Sequence, residues 1–288
     1  MRIRQGHPDD LEASQELAVY AFSIRRTPDW EETDAKRYEK TYNQYWYLED
    51  ASQKPVAMTR LIPYEQNIRG VWKKMTGISA VASAPEVRRK GYMRKLLITA
   101  LKNTSKDGYS LSTLYAFKDF FYVNLGYVKQ PPVLSLELNP RQLYDRKMPA
   151  GYTIQRFKQN ERMDDWIRVY NEAIKGINGA VKRDEFRWTD YEFGSWGTLA
   201  IAYNKEDTPE GVILYQNKGY GEFGHLEKVG EMRIADFYWT TPQARKALLH
   251  FIFLHSDQIV KVYMPIAPTN NQYVHWYRDM NIPILRAR

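Results

Sequence analysis

The cations of this chain are dense at one place. Arg88-Arg89-Lys90-Gly91-Tyr92-Met93-Arg94-Lys95 follows the apolar stretch Ile78–Ala84. It opens a segment in which Met93, Leu96, Leu97, Ala100 and Leu101 share a helical face. The pattern is a strand, a short basic turn and a helix start. The first turn of a helix leaves backbone N–H groups without partners, and its dipole favours an anion there. Gly91 lets the backbone approach a phosphate with no Cβ in the way. Arg88, Arg89 and Lys90, with the N–H groups through Gly91 and Tyr92, would form a cradle for a pyrophosphate. Arg94, one turn on, is a further contact or plain surface. The competing reading of the whole cluster is a solvated basic helix start.

Other reactive residue types are sparse. There is no cysteine, which excludes disulfides, thiolate catalysis and cysteine-ligated metals. Of the histidines (His7, His225, His250, His255, His275), only His250 and His255 are close in sequence. Five residues apart, they do not share a helix face, so no metal site is expected. No Ser/His/Asp arrangement stands out.

The elements that must hold the basic turn can be read along the chain. Residues 1–7 read as a strand. Pro8-Asp9-Asp10 starts a helix whose face carries Leu11, Leu17, Ala18 and Phe22, and a charged helix follows from Trp30 to Thr41. Gln44–Leu48 is a strand. Val56–Pro63 and Tyr64–Val71 read as a meander about a hairpin, and Met75–Ala84 delivers the basic turn. The helix over Lys90–Thr104 stops at Asp107-Gly108. Then come a strand at Tyr109–Tyr115, a helix at Phe117–Leu125 with Gly126 as its C′ residue, and a strand at Pro131–Leu138.

Pro140, Pro149 and Gly151 mark a boundary. The second half repeats the order: a strand at Tyr152–Ile154, a helix over Asn160–Ala173, strands at Thr198–Tyr203, Val212–Gln216 and Glu231–Trp239. A helix opened by Thr241-Pro242 runs to His255, and a strand follows at Ile259–Met264. At its strand-to-helix junction, Trp239–Arg245, there is no glycine. The expectation is an α/β chain with mixed α+β sheets in two domains, 1–147 and 148–288, the second without a phosphate loop.

The spacing Arg88-x-x-Gly91-x-Met93 resembles the acyl-CoA signature of the GNAT N-acetyltransferases, with Met93 where a small residue is usual. The longer run Pro85-x-x-Arg88-Arg89-Lys90-Gly91-x-x-Arg94, and the two-domain order, are similar to the Eis-like (enhanced-intracellular-survival) branch. The resemblance implies two tandem GNAT-like domains. It implies acetyl-CoA as cosubstrate, no metal, and transfer of acetyl to a primary amine of an aminoglycoside-like polycation or a lysine. Backbone of Val81 and Ser83 would hold the pantetheine arm. Phe121-Tyr122-x-x-x-Gly126-Tyr127 resembles the segment carrying the family's general acid: Tyr122 in many members, Tyr127 in the Eis-like ones, and Tyr127 is preferred here. Phe22 and Trp30 would line the acceptor pocket by analogy, with core packing as the alternative. Family members usually add a sterol-carrier-like domain whose C-terminal carboxylate serves as a base, and they assemble into oligomers. This chain ends at Arg288, which raises a rival reading as a non-catalytic acyl-CoA-binding or regulatory protein.

Composition is compatible with this. The chain has 288 residues, 43% hydrophobic and 26% charged, enough for two cores. No apolar run approaches the ~20 residues that span a bilayer, and the N-terminus carries no apolar leader, so a cytoplasmic protein is expected. A net charge of +8 suits a polyanionic small ligand or nucleic acid. Zinc-finger spacings and aromatic-basic signatures are missing, which argues against nucleic acid.

Overall fold

In a computed structural model, residues 1–130, 134–184, 187–188, 196–219, 230–266, 272–277 and 284–287 are described. They form two compact units, Met1–Lys129 with Asn178–Phe186, and Gln130–Ile177 with Arg187–Arg288.

The first unit contains β1 (Arg2–Gln5), α1 (Leu11–Phe22), α2 (Pro28–Thr41), β2 (Tyr45–Glu49), β3 (Pro55–Ile68), β4 (Val71–Ser83), α3 (Tyr92–Lys106), β5 (Leu111–Leu114) and α4 (Asp119–Val123). The sheet runs β1-β2-β3-β4-β5. Its pairs are antiparallel except β4–β5, which is parallel. A parallel pair needs a crossover, and α3 supplies it. One face packs on α1 and α2 through Leu17, Tyr38, Tyr47 and Met58; Leu96 and Leu97 of α3 cover the other. Arg4 fastens the edge: its guanidinium reaches both carboxylate oxygens of Asp10 and, through Nε, Glu49. Burial alone would raise the Asp10 pKa, but the hydrogen bonds from Arg4 win and hold it below the usual range.

Residues 178–182 complete this unit. Gly179 N donates to Asn67 O at 2.7 Å, Asn67 N to Ala180 O at 2.8 Å, and Lys182 N to Glu65 O at 2.9 Å. Lys182 Nζ pairs with Glu65 and lies 4.6 Å above the Trp72 ring. The segment adds a short strand-like edge to β3.

The second unit comprises β6 (Leu134–Leu138), β7 (Thr153–Lys158), α5 (Met163–Ala173), β8 (Thr198–Tyr203), β9 (Pro209–Lys218), β10 (Gly230–Trp239), α6 (Pro242–Phe253), β11 (Ile259–Ile266) and β12 (Ile284–Ala287). The sheet runs β12-β6-β11-β10-β9-β8-β7. Leu136, Leu138, Met232, Leu248, Ile252 and Val262 build its core. Both units are mixed sheets with helices, as the element order predicts.

Three expectations change. No turn falls near 63–64: β3 runs unbroken for 14 residues, Pro55–Ile68. Between Arg60, the last β3 partner of β2 at that end, and Glu65, where 178–182 begin to pair, the strand edge is open, and a proline such as Pro63 is tolerated. The turn is instead Arg69-Gly70, both with positive φ, between the paired Ile68 and Val71. The strand read at Pro131–Leu138 forms over Leu134–Leu138, with Pro131–Val133 outside the described residues, and it pairs with β11 and β12. The sequence order had grouped it with the first unit. Its leucines fill the second core, which decides its sheet. The helix read at 117–125 shrinks to five residues.

Candidate active site

β4 is where the first sheet opens. β5 pairs only with Met75–Ile78, so Ser79–Ser83 have no β5 partner. Ala80 has φ +49°, and the ladder to β3 shifts register there, a bulge that turns the strand. Ala84 N bonds to Val56 O at 2.8 Å. With a period of two, the N–H and C=O groups of Ser83 and Val81 then face the open side. The Ser83 carbonyl there accepts from Arg88 Nε at 3.2 Å.

A single 3-10 turn, Pro85–Val87, ends β4 and buries Val87. The chain then exposes Arg88, Arg89, Lys90 and Gly91 in succession. Arg89 (φ +61°) and Gly91 (φ +78°) are both left-handed. Alternating handedness of this kind turns successive N–H groups toward one point. Gly91 is the N-cap of α3 and supplies no side-chain cap, so the first-turn N–H groups point outward unspent. A Cβ on Gly91 would meet nothing within 4 Å. Tyr92 and Met93 are half-buried and pack on the Leu48–Ala57–Leu96 cluster, so the Met93 side chain turns toward the sheet. Arg94 is exposed. Arg88 also stacks 5.4 Å over the ring of Tyr20 on α1, a contact between separate elements that local spacing does not reveal.

The two tyrosines sit beside each other. Tyr122 is 4% exposed and meets Tyr127 edge-on at 5.9 Å. Both pack with Ile78 and Leu97. The Tyr127 hydroxyl is 2.6 Å from Ser112 Oγ on β5. Burial pushes the Tyr127 phenol up, and the Ser112 hydrogen bond offsets part of that. Burial raises Tyr122 too, reinforced by Tyr127. Both hydroxyls are therefore protonated at neutral pH. Ser112 was not singled out in the sequence, where it is one small strand residue among several.

Phe22 ends α1 half exposed, and Trp30 lies half-buried in the first turn of α2, which Thr27 caps. Arg288 and His225 lie outside the described residues. No group of metal-ligating side chains occurs among the described residues, and no helix there is long and apolar enough to cross a membrane.

At the matching junction of the second unit, Thr241 caps α6 by accepting from Ala244 N at 3.2 Å. Its hydroxyl donates to Glu210 at 2.8 Å, and Tyr152 OH and Asn204 Nδ2 donate to the same carboxylate. A carboxylate of the chain's own is thus held where the first unit has an uncapped helix.

Known proteins bear on this geometry. The chain is similar in structure to a probable N-acyltransferase from Enterococcus faecalis V583, with 22% identity, TM-score 0.82, and coverage of 99% of this chain and 69% of that one. It is similar to a GCN5-related N-acetyltransferase from Anabaena variabilis (17%, TM-score 0.80, 99% and 70%). It is also similar to Eis1 from Mycobacterium abscessus (14%, TM-score 0.81, 100% and 72%). At these identities the likeness speaks to the fold. No curated protein sequence matches. Two family models described as Acetyltransferase (GNAT) domain match residues 2–129 and 179–285, together most of the chain. The chain belongs to the GNAT acetyltransferases and carries two GNAT domains.

Proposed function

We propose that the first unit transfers acetyl from acetyl-CoA directly to a primary amine, in the manner of the Eis-like branch. The observation that carries this is the conjunction at the end of β4: an open strand edge, a basic left-handed loop and an uncapped helix start. The loop N–H groups, Arg88, Arg89 and Lys90 hold the pyrophosphate. The outward-facing backbone of Val81 and Ser83 pairs with the amides of the pantetheine arm, as a strand would, with the Ser83 carbonyl exchanging Arg88 Nε for the arm. Arg94 extends the positive surface, and the Tyr92 N–H joins the cradle. Acetyl-CoA, when bound, supplies the acetyl group as an activated thioester.

Tyr127 is the general acid in this reading. Protonated at neutral pH, it donates a hydrogen bond to the departing sulfur, while Tyr122 packs against it and fixes its ring. Its hydroxyl would exchange Ser112 for the leaving group. Phe22 and Trp30 line the acceptor side. The polycationic or lysine acceptor, the cytoplasmic setting and self-assembly rest on the resemblance of the 85–94 segment. The second unit holds no CoA in this reading, because the Thr241 hydroxyl already caps the start of α6 and the Glu210 carboxylate behind it would repel a phosphate.

The test is a calorimetric titration of acetyl-CoA into wild type and an Arg88→Ala/Arg89→Ala variant, followed by turnover on an amine panel. Thiol release can be followed by a thiol-reactive dye without background, since the chain has no cysteine. Saturable binding lost in the variant, with Tyr127→Phe slowing turnover about a hundredfold or more, is the expected result. Full turnover by Tyr127→Phe would remove that residue from the chemistry. Binding without turnover on any amine would favour the non-catalytic reading.

A further inference from the structure

The first unit has a pocket of about 320 Å³ away from the basic loop, at the other end of α3. Asn103, Thr104 and Asp107 from the last turns of α3 form one wall. Asn103 stands about 18 Å along the helix from Gly91, at 1.5 Å per residue. Gln44 just before β2, Trp46 within it, and Thr76 of β4 form the facing walls. Its volume is within the range of small-molecule sites.

The polar groups there are only partly spent. Gln44 Oε1 accepts from Arg60 Nε at 2.9 Å, which leaves its NH₂ group as a donor. Asn103 Nδ2 donates to Thr99 O at 2.9 Å, which leaves Oδ1 as an acceptor. Thr104 donates to Leu101 O at 3.1 Å and keeps its lone pairs. Thr76 is 2% exposed, and its hydroxyl has no hydrogen-bond partner among the described residues. A buried hydroxyl left unpaired costs about 1–3 kcal/mol, and a ligand group that reached this one by a small shift of the wall would recover that cost.

The chemistry of the walls selects a class. No lysine or arginine lines the pocket, in a chain of net charge +8. Lys74 stands near but is turned to the Asp107 carbonyl and the Tyr109 ring. A phosphate or carboxylate would therefore find no counter-charge. Carboxamides, hydroxyls and one carboxylate are instead groups that bond to hydroxyls, which both donate and accept. Trp46 packs its inner side on the Leu48–Leu96 cluster and brings an apolar surface to the pocket. We infer that this pocket is a second ligand site, for a neutral polyhydroxylated molecule the size of a mono- or disaccharide. It is independent of the acetyl-transfer reading, since none of its residues belongs to the loop.

The experiment titrates glucose and maltose calorimetrically into wild type, Thr76→Val and Asn103→Ala, with acetyl-CoA titrated in parallel. Wild type should bind at least one of the sugars saturably at one site, at millimolar Kd or tighter. Each variant should weaken that binding about tenfold, while its response to acetyl-CoA stays that of wild type. Thr76→Val should also unfold at a temperature equal to or above wild type, because the orphan hydroxyl is gone. That separates lost recognition from lost folding. Asn103 faces the pocket from a helix where alanine is well tolerated, which gives a second folded variant. Absence of saturable binding of both sugars overturns the inference. So does binding that neither variant weakens. Binding of the diamine putrescine in place of the sugars, dependent on Asp107, overturns the ligand class.

Discussion

Gly91→Ala and Gly108→Ala form a matched pair that isolates the phosphate cradle. The two glycines flank α3, have φ of +78° and +85°, and would each point a Cβ into space free of atoms within 4 Å. In the ligand-free protein each substitution therefore pays only for an L-residue in the left-handed region, about 1–2 kcal/mol. On a unit of this size that lowers the unfolding midpoint by a few degrees, about 2–4 °C per kcal/mol. The two variants should lose similar stability. They differ once acetyl-CoA is present. The methyl at position 91 would stand where the α3 N–H groups converge, whereas Gly108 lies at the far end of the helix. Calorimetry should show acetyl-CoA binding weakened about tenfold or more, at least 1.4 kcal/mol, for Gly91→Ala and unchanged for Gly108→Ala. Wild-type affinity in both variants would refute the cradle. Equal losses would mean that the effect travels through the fold of α3 and not through contact at its start.

Three further outcomes follow from the geometry. Ser112→Ala should lower kcat about tenfold at constant KM for acetyl-CoA. Activity needs Tyr127 protonated and is lost as pH rises through its pKa; the Ser112 hydrogen bond lowers that pKa, so its removal should move the basic limb of the pH–rate profile upward. Asp10→Asn should cost about 2 kcal/mol in urea unfolding at pH 7, because Arg4 loses one of its two paired carboxylates and keeps Glu49. The Asp10 pKa is depressed in the fold, so its stabilisation is present above the usual aspartate range and is lost as pH falls through the folded value; an acid titration of stability should therefore lose a step in the variant. Thr241→Ala should destabilise by about 1 kcal/mol through the lost cap on α6, with acetyl-CoA binding intact.

Much of this is legible in the sequence. The basic turn is, because three cations and a glycine after an apolar strand are a local pattern and the structure keeps it local. So is the Thr241-Pro242 helix start, since cap and first-turn proline act on adjacent backbone. The long β3 was hidden by Pro63, which reads as a turn unless one knows that β2 has already ended. The partner sheet of Leu134–Leu138 was hidden because LSLEL alternation fits either core. The Ser112–Tyr127 contact and the Arg88–Tyr20 stack were not legible, since each joins residues on different elements. The open side of Val81 and Ser83 needed the register of three strands.

The edge that residues 178–182 add to β3 bears on how the chain is made. Gln66 waits for Val181, 115 positions downstream, before its bridge can form. On a ribosome adding roughly 5–20 residues per second, that is about 6–23 s of elongation during which the buried Asn67 lacks its backbone partners. Over that interval the β3–β4 ribbon is a bare strand edge, open to pairing with a neighbouring nascent chain. An expression fragment that stops before position 178 would keep that edge for life, and would be expected to aggregate where the full chain does not.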